Sequence, residues 1–419
     1  MQMIDTRENF PHSIAGYSQG GTVVDSVAYF TANSYQEMAD PGKVWQNERP
    51  MPYPFAASFC INSFKKIRTY DFEDTYDSTP IVLESSGRMI IAAHQYKAMK
   101  TSAFDVQTGE KLWDSPANQG GALFFGYSYY HSKKGLLLIV CSDSGLHALD
   151  ALTGREEWFF PSPHGVTPCV DQGKGRIYYQ YNGGISILDA SSGLCLSSLS
   201  VDNPAVCISW NTVLAGEGKD KRIVTYWYEK GFFGSCIRVY DMELKFIWEK
   251  KGIPASRKAT LCCADAKIFI GSGDHWQQDY IKLKDQSWKT ISAYDLYTGK
   301  TAWLTSMHEY EYSCIPNIIY CNGWLIAESQ TNICGFPYLV FVLNAKNGEI
   351  LRLWYRKGPA NSCAPPVFSS GMLLSGDLIS DNVLVTRLGE GENSDWIGAF
   401  GDGQTHSMTA PDYALTNLY

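Results

Sequence analysis

The sequence predicts an all-β chain of repeated strand-turn-strand units, and three observations carry the prediction. First, the stretch Ile291 to Thr305, ISAYDLYTGKTAWLT, recurs: Thr101 to Trp113 reads TSAFDVQTGEKLW, Leu146 to Trp158 reads LHALDALTGREEW, and Ile185 to Leu196 reads ISILDASSGLCL. Weaker copies are CIRVYDMELKFIW from Cys236, without the glycine, LVFVLNAKNGEILRLW from Leu339, with two extra residues before its tryptophan, and FAASFCINSFKKIRTY from Phe55. Second, Trp113, Trp158 and Trp303 each stand four residues after the glycine of their unit. Third, another hairpin precedes each unit, so the repeat holds four strands, A to D, and returns at roughly 50 residues. Such a period belongs to a propeller rather than a helical solenoid. The expectation is an eight-bladed β-propeller of four-stranded antiparallel blades; seven blades, with one hairpin used differently, is the alternative.

Each part of the unit has a physical reason. Strand C alternates apolar residues and ends in Asp or Asn, whose short side chain bonds the backbone of the turn that follows. Gly109, Gly154, Gly193, Gly299 and Gly348 supply the positive φ of that turn. Strand D then brings one large aromatic, which can pack between adjacent sheets.

In chain order, the eight A-B hairpins begin at Thr22, Pro80, Phe124, Thr167, Ser209, Thr260, Pro316 and Pro366. The eighth repeat ends after NVLVTRL with no fourth strand. An open seam would leave backbone groups unpaired, so a strand from the opposite terminus is expected to close it, either from residues 1–20 or from the tail 390–419 near Trp396. One repeat through almost the whole chain makes residues 1–419 a single domain.

Composition excludes some classes. A formal net charge of −8 and a pI near 5.5 provide no global basic field, so neither nucleic acid nor an anionic membrane is an expected partner. The start, MQMIDTRENF, has no apolar h-region, and no apolar run reaches the ~18 residues of a membrane span. Read literally, the chain is soluble and cytoplasmic, or secreted or periplasmic if a leader has been trimmed. Of twelve cysteines most fall inside expected strands, among them Cys60, Cys141, Cys169, Cys207, Cys236, Cys314 and Cys321, which points to thiols used as small apolar residues. The adjacent Cys262 and Cys263 lie in an expected strand A, where small residues suit the crowded axis. No Cys/His spacing suggests zinc.

The B-C loops are long in the first, fifth, sixth and seventh repeats, while every C-D turn is short. These loops lie on opposite faces of a propeller, so one face is elaborated and the other plain, and function is expected on the elaborated one. Its strand-B ends carry His94, Tyr181, Asn182, Tyr226 and Tyr228, its loops His275 and Trp276, and its strand-A entries His164, Trp210, Asn211, Arg257 and Lys258. Tyr226 and Tyr228 share a strand face, with Trp227 on the other. Arg and Lys can pair with carboxylate or sulfate, Trp can stack on a sugar ring, and His or Tyr can move protons. An acidic polysaccharide meets all three.

The pattern ALDALTGREEW and AYDLYTGKTAW resembles the repeat of quinoprotein-type propellers, the family of pyrroloquinoline-quinone dehydrogenases and an outer-membrane assembly lipoprotein. That resemblance implies the fold; one fold hosts many functions. No acidic calcium cluster beside a stacking tryptophan is visible, so the sequence argues against the quinone as cofactor. Stretches such as QGGTVVDSVAYF, TYDSTPIV, IIAAHQYK, FFGYSYY and CISWNTVL are similar in character to β-propeller polysaccharide lyases of the ulvan lyase and rhamnose-glucuronate lyase type. That resemblance implies β-elimination at a uronate, and of the site residues only His94 carries over from it.

Elimination needs the uronate carboxylate offset, a base near C5 and an acid for the leaving O4. Arg257 with Lys258 would offset charge, His94 would be base or neutraliser, and Tyr228 and Tyr181 base and acid; a tyrosine base would need cations nearby to lower its pKa. Lys258, His164, Asn182, Trp210, Asn211, Tyr226, His275 and Trp276 would bind substrate. The expectation is a monomeric lyase on a uronate-containing, sulfated, ulvan-like glycan, needing no cofactor, with a structural divalent cation allowed. The alternatives are a non-catalytic scaffold for other proteins, a quinone-dependent dehydrogenase with a Cys262–Cys263 disulfide, and a glycosidase using Glu229, Asp274 or Glu328.

Overall fold

A computed structural model describes residues 2–5, 13–15, 21–24, 26–31, 56–63, 65–71, 80–85, 88–95, 100–116, 127–142, 144–163, 165–201, 206–207, 212–228, 235–253, 261–272, 288–310, 314–330, 338–356, 366–369, 371–377, 382–387 and 409–410. The chain is an all-β propeller of four-stranded antiparallel blades, and its described strands pair into eight sheets. The third sheet is typical: Tyr127–Ser132, Gly135–Ser142, Gly145–Asp150 and Glu156–Pro161 follow one another as strands A to D. The fifth departs from the expected pattern. Its strand A comes in two pieces, Val206–Cys207 and Val213–Ala215, both paired with Arg222–Tyr228.

Apolar clusters join each sheet to the next. Tyr70 of the first sheet packs with Val82 and Phe104 of the second, Trp113 of the second with Leu138 of the third, and Tyr178 of the fourth with Ile223 of the fifth. Trp354 of the seventh meets Phe368 and Leu373 of the eighth. The succession closes where Gly21–Val24 of the first sheet lies against Val367–Ser369 and Met372–Asp377 of the eighth.

The seam is made by the N-terminal segment. Ser13–Ala15 pairs antiparallel with Asn382–Arg387 and supplies the missing outer strand of the eighth sheet. Gln2–Asp5 adds a fifth strand, parallel, to Ile350–Arg356 of the seventh sheet, and Thr409–Ala410 runs parallel beside Ile81–Ser85 of the second. Of the two expected terminal segments the first closes the eighth sheet, while the described strand of the tail pairs in the second sheet instead; Trp396 lies outside the described residues.

The repeat's tryptophan and glycine are two halves of one contact between neighbouring sheets. Trp113 Nε1 donates to Ala151 O at 3.0 Å, Trp158 to Ala190 O at 3.1 Å, Trp248 to Leu296 O at 2.9 Å and Trp303 to Ala345 O at 3.0 Å. In each case the indole also covers the turn glycine of the next sheet. A methyl group on Gly154, Gly193, Gly299 or Gly348 would come within 2.7 Å of that ring. Glycine is needed there twice over, for its φ of 68 to 75° and for the close approach.

Between the fourth and fifth sheets both the tryptophan and the glycine are missing. Ser197 holds the tryptophan position in the fourth sheet, opposite Ile187 as Trp158 is opposite Ala148. The fifth sheet then carries Leu244 in its turn, at φ 64°, buried with Met242 and Tyr240. A side chain on the turn occupies the space that the indole fills elsewhere. In the first sheet the two tasks are divided: Tyr70 Oη donates to Val106 O at 3.1 Å, and Arg68 lies over Gly109.

The C-D turns are short, as expected. Asp150, Asp189 and Asp295 each accept from the two backbone N–H groups two and three residues on, at 2.8 to 3.1 Å, and from the hydroxyl of Thr153, Ser192 or Thr298. Cys60, Cys141, Cys169, Cys195, Cys236, Cys262, Cys263 and Cys321 are thiols rather than disulfides, most of them buried. Cys262 and Cys263 face opposite ways on one strand, Cys262 into the cluster between the sixth and seventh sheets and Cys263 into that between the fifth and sixth. That is the packing role, not the disulfide a quinone-dependent dehydrogenase would call for.

Candidate functional site

Strand pairing puts the ends of the B strands and of the D strands at one end of the sheets: Gly184, which opens strand C of the fourth sheet, pairs with both Tyr181 and Ser200. His94 stands opposite Thr101, Tyr181 opposite Gly184 and Tyr228 opposite Ser235. The three expected proton-transfer positions thus occupy equivalent ends of the second, fourth and fifth sheets.

Tyr181 is half-buried. Its Oη lies 3.0 Å from Ser186 Oγ, and its ring rests against Tyr179 and Phe160 of the third sheet. Asn182 follows in a tight turn and is half-buried. Tyr226 differs from the expectation. It is fully buried among Val213, Val224, Ile237 and Leu261, between the fifth and sixth sheets, and is a core residue rather than one that meets a ligand at the surface. Its register explains this: Tyr226 stands opposite Ile237, within the part of its strand that the sixth sheet covers. Trp227 points the other way, toward Val166 and Cys236. Arg257, Lys258, His164, Trp210, Asn211, His275 and Trp276 lie outside the described residues.

Two features of this end were not singled out from the sequence. Lys289, next to the start of strand C in the sixth sheet, is 6% exposed; its Nζ donates to Tyr310 O at 3.0 Å and lies 5.7 Å from the centre of the Trp288 ring. Both side chains are buried, and the pair is a packed cation–aromatic contact. The signal was the dipeptide Trp288-Lys289 just ahead of an alternating strand, hidden at the end of a long loop. Burial, reinforced by Glu309, holds the Tyr310 hydroxyl above the ordinary tyrosine range, so Tyr310 suits an acid better than a base.

The second feature is a pair of orphaned polar atoms. Gln180 Nε2 donates to Tyr226 O at 2.8 Å, but Gln180 Oε1 and the Thr212 hydroxyl are buried without a hydrogen-bond partner among the described residues. Buried polar atoms of this kind ordinarily meet water or a ligand. In the seventh sheet, Glu328 is 1% exposed and accepts from Tyr338 Oη at 2.7 Å through Oε1, which places it in the core. Among the described residues no group of three or more His, Cys, Asp and Glu side chains could hold a metal ion, and no helix is long and apolar enough to cross a membrane.

No known protein family matches the chain, and no curated protein matches its sequence. Among solved structures it resembles BamB from Moraxella catarrhalis, at 14% identity over 90% of this chain and 99% of that one, with a TM-score of 0.58. It is also similar to quinohemoprotein alcohol dehydrogenase from Comamonas testosteroni, at 12% identity over 92% of this chain and 74% of that one, with a TM-score of 0.57. At such identities the likeness speaks for fold alone, a β-propeller.

Proposed function

We propose that this protein is a polysaccharide lyase that cleaves a uronate-containing, sulfated, ulvan-like glycan by β-elimination, on an eight-bladed propeller with one blade for each sheet. The observation that supports the reading is that His94, Tyr181 and Tyr228 all lie at the strand-B end of their sheets, at successive register steps, the end where Lys289 is buried beside Trp288. His94 serves as base or neutraliser, Tyr228 and Tyr181 as base and acid, and Arg257 with Lys258 offsets the carboxylate. The reaction needs no cofactor, and the protein acts as a monomer on an acidic polysaccharide.

The test is ultraviolet absorbance of the conjugated uronate double bond during incubation with ulvan, gum arabic and other uronate polysaccharides, beside a His94→Ala control. A rise that the variant loses supports the reading. No rise on any glycan, with no new reducing ends, sinks it.

A scaffold for other proteins is the second reading. It is favoured by apolar side chains exposed on or beside the outer strands: Ile67, Phe159, Leu194, Leu196, Phe246 and Leu304 are each more than two-fifths exposed. Pull-down with the outer-strand variants Leu194→Lys and Leu304→Lys separates the two, since a lyase keeps its activity in both.

A further inference from the structure

The third sheet holds an ordered line of four polar side chains that the lyase reading does not use. Glu156 Oε2 lies 2.7 Å from His147 Nδ1, His147 Nε2 lies 2.9 Å from Ser142 Oγ, and Ser142 Oγ lies 2.9 Å from Ser144 Oγ. The line begins at a half-exposed carboxylate, crosses the interior and ends on an exposed residue: His147 and Ser142 are buried, while Ser144 is exposed on the two-residue turn between strands B and C.

The donor directions follow from the chemistry. A carboxylate only accepts, so His147 Nδ1–H donates to Glu156 and the lone pair on Nε2 faces Ser142. Ser142 O–H then donates to Nε2, with Gly145 O at 3.2 Å as the competing acceptor. Ser142 Oγ in turn receives the N–H of Ser144 at 3.3 Å and the hydroxyl of Ser144. Both ring nitrogens of His147 are committed to side chains, and the line ends at a hydroxyl open to solvent.

We propose that the third sheet carries a second reaction centre, a serine acyl-transfer site in which Ser144 is the nucleophile and Ser142, His147 and Glu156 form its proton relay. The substrate class is a small carboxylic ester. Ser144 Oγ bonds to the ester carbonyl carbon as the bond to the alcohol oxygen breaks. The Ser144 proton passes to Ser142 Oγ while the Ser142 proton passes to His147 Nε2, and that proton then goes to the departing alcohol. Water, deprotonated through the same relay, releases the acid and restores Ser144, so one ester and one water give one acid and one alcohol.

Two further observations fit. Burial holds the His147 imidazole below its ordinary range, against the opposing pull of Glu156, so the ring is neutral and able to accept a proton at neutral pH. Phe159, stacked on His147 at 4.5 Å between ring centres and 41% exposed, offers an apolar wall beside the relay for the organic part of an ester. The inference stands on the geometry of one sheet and is independent of the lyase reading.

The experiment uses the full chain with a fluorophosphonate probe, with peptide mass spectrometry to locate the adduct, and with 4-nitrophenyl acetate as the ester. The expected result is one adduct on Ser144, lost in Ser144→Ala, and a labelling rate reduced at least ~100-fold in Ser142→Ala and in His147→Gln. The rate in the unaltered chain should rise with pH through a single ionisation below the ordinary imidazole value. If His147→Gln does not fold, Ser142→Ala with an unchanged melting temperature decides alone. No adduct on Ser144, or a Ser142→Ala variant that labels at the full rate, overturns the proposal.

Discussion

Replacing Gly193 with Ala should destabilise the propeller by far more than a turn substitution ordinarily does. Gly193 has φ 69°, and its added Cβ would stand 2.6 Å from Trp158 Cε3 and 2.7 Å from Cδ2. The indole has little freedom to retreat, because its Nε1 is held by Ala190 O and its ring is 8% exposed. The left-handed backbone costs an alanine about 1–2 kcal/mol, and forcing a methyl into a packed contact about 1–3 kcal/mol. The stiffer unfolded chain returns roughly 0.4–1 kcal/mol, which leaves a net loss of about 1–4.6 kcal/mol, centred near 3.

Gly183 is the internal control. Its φ is 84°, yet nothing lies within 4 Å of the position a Cβ would take, so Gly183→Ala bears only the backbone term. Urea unfolding followed by circular dichroism measures both. In a Trp158→Leu background the cost of Gly193→Ala should fall toward that of Gly183→Ala, a coupling of about 1–3 kcal/mol. Equal costs for the two glycines, or strict additivity with Trp158→Leu, would refute the contact as the reason for the repeat.

Three more outcomes are expected. Because burial lowers the His147 pKa in the folded state, the unfolded chain takes up this proton first as pH falls. Stability is therefore unaffected above about 6.5 and erodes below it, and His147→Gln should remove that part of the slope of urea midpoint against pH. Asp295→Ala should cost about 0.5–1.5 kcal/mol by removing the acceptor of the solvent-exposed N–H groups of Tyr297 and Thr298. The bond from the Thr298 hydroxyl, which leads the lowering of the Asp295 pKa, makes this contribution present above the ordinary aspartate value and lost as pH falls through the lower folded one, which an acid titration of the melting temperature reads. Deleting residues 1–20 removes the partner strand of Asn382–Arg387 and opens the eighth sheet, so the shortened chain should melt lower and associate through the bared edge, visible by light scattering. An unchanged melting temperature would deny Ser13–Ala15 its closing role.

Much of this fold was legible because the repeat states its own contact rules. Trp158 four residues after Gly154 is a sequence fact; that Trp158 covers Gly193 of the following sheet is its spatial meaning. The exception at Leu244 was visible as a missing glycine, but its cause, Ser197 in the preceding sheet, needed the pairing register. The closing strand was foreseen as a gap, because a fourth strand was absent after NVLVTRL, while the short segment Ser13–Ala15 carries too few residues to announce itself. Adjacent parallel additions such as Gln2–Asp5 left no sequence sign at all.

The site was harder to read for a definite reason. Alternation assigns a strand residue to one of two faces, but both faces of a propeller blade are buried against neighbours, so Tyr226 looked like a rim residue and is a core one. Lys289 and Gln180 became visible only as a buried cation and an orphaned amide oxygen, properties of surroundings rather than of residue type. The Ser144–Ser142–His147–Glu156 line was missed because its members come from three strands and a turn, and no spacing marks them.

The most direct test of the proposed chemistry is to digest a uronate oligosaccharide in oxygen-18 water and weigh the fragments. Elimination predicts that the fragment keeping the original reducing end is lighter by one water than its hydrolysis counterpart and carries the unsaturated uronate at its new non-reducing terminus, with no heavy oxygen bonded in the cleavage step. A saturated pair of fragments, one of them labelled with the heavy isotope at the point of cleavage, would contradict the account and make the enzyme a hydrolase.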